Sequence, residues 1–321
     1  MGSVSPVEFA AAAGMEQLLQ LLERMGVDPG WAKQEPSLWA APRKNFVPAH
    51  WSYEQGRAAL EAAGRFVSTE LAERRNLILF NPVPGNRYAT ARTIIAAYQT
   101  VLAGEVARSH RHTPNALRLV MDTGPGAYTI VDGKKIPMLP GDVLLTPNWH
   151  WHGHANEGAD PAVWIDFLDV PMMHFFDGAM FFDQHGAWVE KTDIVDENSP
   201  MRFSAESIQA RLDAAPESRR GERTIELGPP KLDTMGLHVS RMDAGAKLAS
   251  PRTTASSVFA VVDGRGRSDI DGVRFEWKRG DVFVVPAWRP YELEALERSH
   301  LFRVTDAPLL ERLNWLRTES A

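Results

Sequence analysis

Residues 141–157 read GDVLLTPNWHWHGHANE, and the shorter stretch at 280–288 reads GDVFVVPAW. Both begin with Gly-Asp-Val, continue as a run of apolar residues and reach a Pro-x-Trp sequence. Gly141 and Gly280 are 139 residues apart, and the same separation relates the two Pro-x-Trp sequences and an Asp-Gly pair that precedes each stretch. Several blocks that share one offset indicate that the chain contains two copies of one structural unit.

Each copy has the pattern of β structure. Short apolar runs bounded by Gly-Asp and Pro predict strands, and Asp132-Gly133 and Asp271-Gly272 suit tight hairpin turns, which need positive φ. Short strands with frequent turns and no intervening helices favour a sandwich or barrel over a βαβ fold. The sequence therefore predicts an all-β protein with two related β-barrels.

Helices are predicted at the ends of the chain. The run LLQLLERM at 18–25 is amphipathic, and Ser52 with the glutamine three residues later forms a capping box for a helix to about Glu73. A short final helix is expected from Pro308 to about Arg317. In order along the chain, we expect a helical arm (1–75), a first barrel with the functional site (76–178), a connection (179–235) and a second barrel (236–321).

The composition excludes several functions. A net charge of -6 argues against a nucleic-acid binder, because no basic excess is available to neutralise phosphates. The absence of cysteine excludes disulfides and thiolate metal sites. The N-terminus lacks the pattern of a signal peptide, and no apolar run approaches the roughly 20 residues of a membrane span. These features predict a cytoplasmic protein that interacts with neither nucleic acid nor membrane.

Five of the ten histidines lie between positions 110 and 154. Residues two apart on a strand share a face, so His110 and His112 can point into the barrel together. The same alternation places His150, His152 and His154 on one face and the neighbouring tryptophans on the other. Three histidines converging in this way favour a metal site over core or surface histidines, but alternation alone does not choose the third ligand.

Both histidine groups resemble the two motifs of the cupin superfamily. The first motif is Gly, five residues and His-x-His; the second is Gly, five residues, Pro, a His five later and an Asn four beyond. The matching residues are Gly104, His110 and His112, then Gly141, Pro147, His152 and Asn156. The resemblance implies a bicupin whose metal ligands are His110, His112 and His152.

The predicted ligand set leaves open coordination positions. The glutamate that cupins commonly add is absent, because Ala116 and Leu117 occupy its place. Three neutral imidazoles leave up to three positions free on an octahedral ion and leave its charge uncompensated. Such a site suits an anionic, chelating substrate together with a diatomic gas.

The second copy lacks these ligands. Adding 139 to His152 gives Tyr291, and neither alignment of the first pair restores a histidine. The positions reached are Ala249 and Pro251, or Pro251 and Thr253 if Gly245 is aligned with Gly104. We therefore expect one metal ion per chain and a scaffolding or subunit-contact role for the second barrel.

From about residue 36 onward, the chain resembles the gentisate 1,2-dioxygenase family. The stretches that carry the resemblance are AERRNLILFNP (72–82), HRHTPNALRLV (110–120), GAYTIVDGKKIPMLPGDVLLTPNWHWHGHANE (126–157), WIDFLD (164–169) and DIDGVRFEWKRGDVFVVPAW (269–288). That family includes enzymes for gentisate, salicylate, substituted salicylates and 1-hydroxy-2-naphthoate. The resemblance implies Fe(II) in the N-terminal cupin, O2 and a small aromatic carboxylic acid as substrates, ring opening between C1 and C2, and a homo-oligomer, commonly a tetramer.

The matching motifs also imply site residues. Arg118 and an arginine of the Arg74-Arg75 pair would hold the substrate carboxylate, while Gln99 and His154 would line the site. His154 lies two residues from a ligand and could exchange a proton with the substrate or an oxygen intermediate. For Arg74 and Arg75, a surface or interface role remains open.

Four further positions are relevant to the predicted site. Ile95 stands where family members commonly carry an aromatic residue, so we hypothesise a pocket for a salicylate with a 5-nitro or 5-halo group in place of the 5-hydroxyl. His150 stands where a small polar residue is usual, and no role is assigned to it. Asp166 and Asp169 are candidates for orienting ligand imidazoles, with a turn or interface role equally open.

Two other functions remain open on the sequence. One is a different metallocupin enzyme, such as a thiol or diketone dioxygenase or an isomerase, and the other is a non-catalytic bicupin that binds a ligand. Three histidines also hold catalytic zinc, so iron is implied by the resemblance and not by the spacing.

Overall fold

A computed structural model describes residues 3–32, 38–68, 72, 74–176, 178–188, 192–218 and 221–319 of the chain. The chain divides into two compact units, Met1–Arg43 and Lys44–Ala321. Within the described ranges, every helix is too short or too polar to cross a membrane.

The first unit carries two helices, α1 (Pro6–Ala10) and α2 (Met15–Arg24). The Ser5 side chain accepts from the Glu8 N–H while the Glu8 side chain accepts from the Ser5 N–H, so α1 begins with a reciprocal capping box. Helix α2 is the amphipathic helix predicted from the leucine pattern, and Leu21 on its apolar face is buried.

The second unit is mainly β structure. Its first half contains the strands β1 (Ala49–Trp51), β2 (Arg75–Ile78), β3 (Ile95–Val101), β4 (Val106–His112), β5 (Ala116–Asp122), β6 (Ala127–Val131), β7 (Lys134–Pro137), β8 (Val143–Thr146), β9 (His152–Asn156), β10 (Ala162–Leu168), β11 (Phe182–Gln184) and β12 (Arg202–Phe203).

The second half contains the strands β13 (Glu222–Glu226), β14 (Gly236–Met242), β15 (Lys247–Ser250), β16 (Ser257–Asp263), β17 (Arg265–Ile270), β18 (Val273–Lys278), β19 (Val282–Val285), β20 (Tyr291–Ala295) and β21 (Ser299–Thr305). The helices of the unit are α3 (Tyr53–Gly64), α4 (Val170–Met173), α5 (Ala205–Ala214) and α6 (Ala307–Arg312).

The strands form two jelly rolls of two sheets each. The first combines the sheets β12-β8-β5-β10-β3-β2 and β11-β4-β9-β6-β7, and the second combines β1-β19-β16-β21-β14-β13 and β15-β20-β17-β18. The predicted all-β bicupin is confirmed, with the difference that the sheets do not close into continuous barrels.

The backbone repeats between the jelly rolls as the sequence predicts. Asp132 and Asp271 have φ values of 45° and 50°, and each begins a two-residue hairpin loop, β6–β7 or β17–β18. Trp149 and Trp288 likewise have φ values of 65° and 61°. A bulky residue with positive φ is uncommon, so its recurrence at the same offset supports the duplication.

Several strands lie outside the segments where the sequence predicted barrels. Strand β1, within the predicted helical arm, pairs with β19 of the second jelly roll. In the predicted connection, β11 pairs with β4, β12 with β8, and β13 with β14. Each jelly roll thus contains strands from outside its main segment. The division into helical arm, first barrel, connection and second barrel stays a proposal.

Two predicted helix ends are wrong. Helix α3 begins after Ser52 as expected but ends at Gly64 instead of about Glu73, a residue outside the described ranges. Beyond α3, the Val67 carbonyl accepts from the guanidinium of Arg75. Helix α6 ends at Arg312 instead of about Arg317, because Asn314 takes a φ of 55° and the chain turns away.

The six-stranded sheets of the jelly rolls pack against each other through their outer faces. Leu117 and Phe167 belong to the same buried cluster as Val258 and Phe302, and the rings of Phe167 and Phe302 lie 5.7 Å apart. Such packing of apolar faces is the main source of stability in a sheet protein. The two jelly rolls thus share a core and leave their inner faces for separate uses.

Buried polar contacts also join the jelly rolls. The Thr93 hydroxyl donates to the Asp306 carboxylate at 2.5 Å, and the same carboxylate accepts from the Ser256 N–H at 2.7 Å. Burial raises the pKa of Asp306 from 3.8 to about 6 although both hydrogen bonds lower it. The folded protein therefore binds a proton at this position more tightly than the unfolded chain does.

We expect Asp306→Asn to change how stability depends on pH. Since the folded pKa lies above the unfolded value, the contribution of Asp306 is fully present below about pH 4 and is lost as the pH rises towards 6. The free energy of unfolding of the wild type should fall by about 2 kcal/mol relative to the variant between pH 4 and pH 7. Urea unfolding at pH 4 to 7 measures the difference, and parallel profiles for the two proteins would contradict the expectation.

Candidate metal centre and active site

Three histidines converge on the inner face of the first jelly roll. His110 and His112 lie on β4 and His152 begins β9; these strands pair so that His110 stands opposite His152. One ligand nitrogen from each ring lies within 4.8 Å of the other two, and all three residues are buried. Among the described residues, His110, His112 and His152 form a group whose ligand atoms are close enough together to bind one metal ion.

Each of the three imidazoles is oriented by a backbone carbonyl. The Nδ1 atoms of His110, His112 and His152 lie 2.9, 2.7 and 3.0 Å from the carbonyl oxygens of Arg108, Pro114 and His150. A carbonyl only accepts, so each Nδ1 carries the proton and each Nε2 keeps its lone pair for a metal. The donor set therefore fits a metal ion.

The surroundings keep these imidazoles neutral. Burial lowers the pKa of His110 to about 3 and that of His112 to about 4, and the positive charge of Arg74 adds to both effects. Burial also lowers the pKa of His152 well below its usual value. Neutral imidazole is the form that coordinates metals, so the three ligands are ready to bind an ion at neutral pH.

The opposite face of the ligand strands is held by stacked side chains. Arg111 lies between the two ligands of β4 in sequence and points away from them, with its guanidinium 4.5 Å from the ring centres of both Trp149 and Trp151. Alternation on β4 and around β9 predicted this separation of histidines from tryptophans. The arginine adds a cation–π contact that ties β4 to the loop before β9.

A second buried group lies beside the ligands. Arg118 is 1% exposed, and its Nη1 donates to the Thr129 hydroxyl at 2.6 Å and lies 2.5 Å from Nδ1 of His154. The Thr129 hydroxyl is itself 2.6 Å from the same Nδ1. Thr129 was missed at the sequence level, because only the pairing of β6 with β9 places it opposite His154.

Arg118 contacts both ring nitrogens of His154. Its guanidinium can only donate, and Nη1 lies 2.5 Å from Nδ1 and 2.9 Å from Nε2 of the imidazole. Burial lowers the pKa of His154 well below its usual value, and the positive charges of Arg118 and Arg74 lower it further. His154 is thus a neutral imidazole.

Of the two roles that the sequence left open for Asp166 and Asp169, orienting the ligand imidazoles is not the one observed. The Asp166 carboxylate faces Arg118 across β5 and β10, at 3.6 Å from its Nε. Asp169 accepts from Asn115 at 3.2 Å and from Thr234 at 2.5 Å. The backbone carbonyls already hold the Nδ1 atoms, so no carboxylate is needed there.

The two adjacent arginines point in different directions. Arg74 donates from Nε to the Gln99 amide oxygen at 2.8 Å, and its charge lowers the pKa of the neighbouring site histidines. Arg75 instead binds the Glu105 carboxylate through both terminal nitrogens and is 5% exposed. Of the two arginines between which the sequence did not choose, Arg74 therefore lies beside the site histidines and Arg75 lies in a buried ion pair.

Ile95 and His150 occupy different places. Ile95 is buried at the start of β3, on the same side of the strand as Gln99. His150 is half-exposed, and its Nδ1 lies 2.5 Å from the Asp132 carboxylate in the β6–β7 turn. The side chain of His150 is thus bound outside the ligand cluster, while its carbonyl positions His152.

This fold and donor set define a cupin with a three-histidine metal centre, and the cupin domain family matches residues 97–170. Gentisate 1,2-dioxygenase 1 of Aquipseudomonas alcaligenes is 30% identical over 92% of this chain and 93% of its own. The 5-aminosalicylate 1,2-dioxygenase of a Comamonas species is 31% identical over 95% and 90%.

A solved structure agrees with these relatives. A mutant salicylate 1,2-dioxygenase from Pseudoaminobacter salicylatoxidans, in complex with gentisate, superposes with a TM-score of 0.87 at 28% identity, covering 99% of this chain and 96% of that one. The chain belongs to the gentisate and salicylate 1,2-dioxygenase family, and it is a ring-cleaving dioxygenase.

Replacing any one ligand by alanine should empty the metal site. His110→Ala, His112→Ala or His152→Ala removes one of three nitrogen donors, so we expect metal content to fall from about one ion per chain to near zero. His150→Ala is the matched control, since the backbone carbonyl that orients His152 is unchanged. Elemental analysis after dialysis measures the content, and metal loss in the control alone would contradict the assignment.

Proposed function

We propose that this enzyme uses Fe(II), bound by His110, His112 and His152, to cleave a salicylate-type acid between C1 and C2 with O2. The supporting observation is the cluster of three neutral imidazoles with free Nε2 atoms next to a buried, positively charged Arg118. When bound, Fe(II) supplies a Lewis acid for the hydroxyl and carboxylate of the substrate and an open position for O2. Both oxygen atoms enter the ring-opened product.

Two arginines are proposed to hold the substrate carboxylate. Arg118 is buried and stays charged, because its pKa is lowered by burial only to about 10 and Asp166 opposes the shift. Arg74 adds a second positive charge and is oriented by Gln99. A planar guanidinium binds a carboxylate through two parallel hydrogen bonds, which fixes the orientation of the ring as well as its position.

His154 is proposed to donate a hydrogen bond to the substrate or to a reduced oxygen atom. Its ring is held by the Thr129 hydroxyl at Nδ1 and by Arg118, whose Nη1 contacts both ring nitrogens. If negative charge develops on an oxygen during the reaction, a preoriented donor in a buried site stabilises it more strongly than water would. His154 is then the residue through which a proton is held near the reacting atoms.

Ile95 is proposed to shape the pocket for the 5-position of the ring. It is buried on the side of β3 that also carries Gln99, and isoleucine offers an apolar surface with no hydrogen-bond donor or acceptor. One relative is named for 5-aminosalicylate, an acid whose 5-substituent is not a hydroxyl, which supports this proposal. We propose salicylates with a 5-nitro or 5-halo group as substrates of this chain.

Oxygen consumption tests the proposed reaction. Protein loaded anaerobically with Fe(II) should consume one O2 per molecule of gentisate, salicylate or 5-substituted salicylate, with loss of the aromatic absorbance. Zinc-loaded protein is the control, because Zn²⁺ has no redox chemistry. Absence of uptake with all of these acids, in protein shown to contain iron, would refute the assignment.

Arg74→Gln should weaken substrate binding. Loss of one charge-assisted hydrogen bond is expected to lower kcat/KM by about 10- to 100-fold, mainly through a higher KM. Arg65→Gln is the control, because Arg65 is exposed and stacks on Phe66. Steady-state oxygen uptake measures both parameters, and equal kinetics for the two variants would remove Arg74 from the site.

Ile95→Tyr should change the order of substrate preference. A hydroxyl at this position offers a partner for the 5-hydroxyl of gentisate and takes space from a 5-halo or 5-nitro group. We expect the ratio of kcat/KM for gentisate over 5-chlorosalicylate to rise about tenfold, the size of a one-contact effect in a pocket. An unchanged ratio in a folded, iron-loaded variant would show that Ile95 does not determine specificity.

Assembly and location remain proposals as well. A homotetramer is implied by the family resemblance, and a cytoplasmic location is favoured by the absence of cysteine. Neither is needed for the arrangement of residues in the first jelly roll.

A further inference from the structure

The second jelly roll contains a cavity of about 410 Å³ at the mouth of its inner face. Its walls come from β14, β16, β20 and β21, with His238, Ser257, Tyr291 and Arg303 among the lining residues. The size falls within the range of about 300–1,000 Å³ typical of small-molecule pockets. The cavity is therefore large enough for a small organic ligand.

Strand register shows that this cavity corresponds to the metal centre of the first jelly roll. Val131 pairs with His152 on β6 and β9, and Ile270 pairs with Tyr291 on β17 and β20. Tyr291 thus occupies the position of His152. The residue opposite Tyr291 is Ser250, as His110 is opposite His152.

A neighbouring strand position carries a negative charge in the first jelly roll, at Asp166, and a positive charge in the second, at Arg303. In the first jelly roll Asp166 pairs with Ala97 and Arg118 on its neighbouring strands. In the second, Arg303 pairs in the same way with His238 and Phe259. A carboxylate beside an arginine is thus replaced by an arginine beside an apolar ring.

Arg303 has no acidic partner among the residues that the structure describes. Its hydrogen bond is to the Tyr291 hydroxyl at 3.4 Å, and the side chain is half-buried. A partly buried guanidinium without a counter-ion is unfavourable, since burial removes the water that would solvate its charge. An anion bound in the cavity would provide the counter-charge that Arg303 lacks.

The other charges around the cavity are paired or lie at its rim. Lys231 binds Glu226 at 2.7 Å, and Arg289 binds Asp271 at 2.7 Å. Glu311 is exposed on α6. The cavity therefore presents one available positive charge, that of Arg303, to a ligand.

The C-terminal segment covers part of the cavity and adds apolar surface. The Thr254 N–H donates to the Arg317 carbonyl at 2.9 Å, and Arg252 pairs with Glu319 at 2.9 Å, which holds the segment in place. Leu316 from this segment lines the cavity together with Val285 and the ring of Pro308. The lining suits a ligand with one anionic group and an apolar body.

We propose that the second jelly roll is a metal-independent binding site for a small organic carboxylate, held by Arg303 and Tyr291. The guanidinium would supply a positive charge, as a metal ion held by His110, His112 and His152 would in the first jelly roll. Two sources of such a ligand are the aromatic acid substrate and the ring-opened oxo-dicarboxylate product. Both carry the carboxylate that Arg303 would bind.

The site can be located with a carboxylate that marks its own position. Crystals of the iron-loaded protein, kept free of oxygen, are soaked with 4-bromobenzoate, which lacks the ortho hydroxyl needed to chelate iron. We expect an anomalous bromine peak in the cavity beside Arg303, whether or not another is found in the first jelly roll. Absence of a peak beside Arg303 would overturn the proposal.

Calorimetry with benzoate then tests the residues. Arg303→Gln should weaken binding at this site about 10- to 100-fold, as expected for loss of a charge-assisted hydrogen bond, while benzamide should bind weakly to both proteins. Arg267→Gln is the matched control, since Arg267 is an exposed arginine of the same jelly roll paired with Glu294. Equal loss in the control, or none in Arg303→Gln, would refute the role of Arg303.

A second variant separates blocking from misfolding. Ser257→Leu adds hydrocarbon to the cavity wall without changing its charge, so it should also abolish the bromine peak while the thermal transition stays cooperative.

Salicylate and the enzymatic ring-opened product, titrated separately, distinguish the two sources of the ligand by their affinities. Because benzoate binding is measured without turnover, a negative result here leaves the proposed dioxygenase reaction untouched, and the reverse also holds.

Discussion

The antiparallel pairing of β4 with β9 is the constraint on which the site depends. It brings His110 opposite His152, and the backbone of the same segments supplies the carbonyl oxygens that bind the Nδ1 atoms of all three ligands. The tautomer, the ring orientation and the free Nε2 lone pairs follow from that geometry. A shift of one residue in the register would turn the histidines to the opposite face and bring Arg111 inside.

Burial disfavours the charged form of both kinds of titratable group around these ligands. Burial keeps the imidazoles neutral, and it raises the free energy of the charged Arg118 guanidinium unless an anion lies close to it. The Asp166 carboxylate stabilises part of that charge, since one of its oxygens lies 3.6 Å from Nε of Arg118. This contact is longer than a hydrogen bond, so a substrate carboxylate can compete with Asp166 for the guanidinium. The first jelly roll is thus preorganised for an acid.

The same backbone carries a different interior in the second jelly roll. Phe259 stands at the position of Arg118, and its ring stacks on Phe283 at 5.0 Å within an apolar cluster. The shared core between the six-stranded sheets supports both interiors, because it lies on their outer faces. A fold stabilised in this way tolerates a polar, functional face in one copy and a changed one in the other.

The sequence alone determined the duplication, the β class, the hairpin turns and the three histidines, because period-two alternation, turn residues and motif spacing are local properties. It did not separate Arg74 from Arg75, find Thr129 or exclude Asp166 as an imidazole partner. Those answers depend on which strand lies beside which and on where a long side chain finds its partner, as Arg75 finds Glu105. Only the tertiary structure decides such pairings, since they join residues that are distant in the chain.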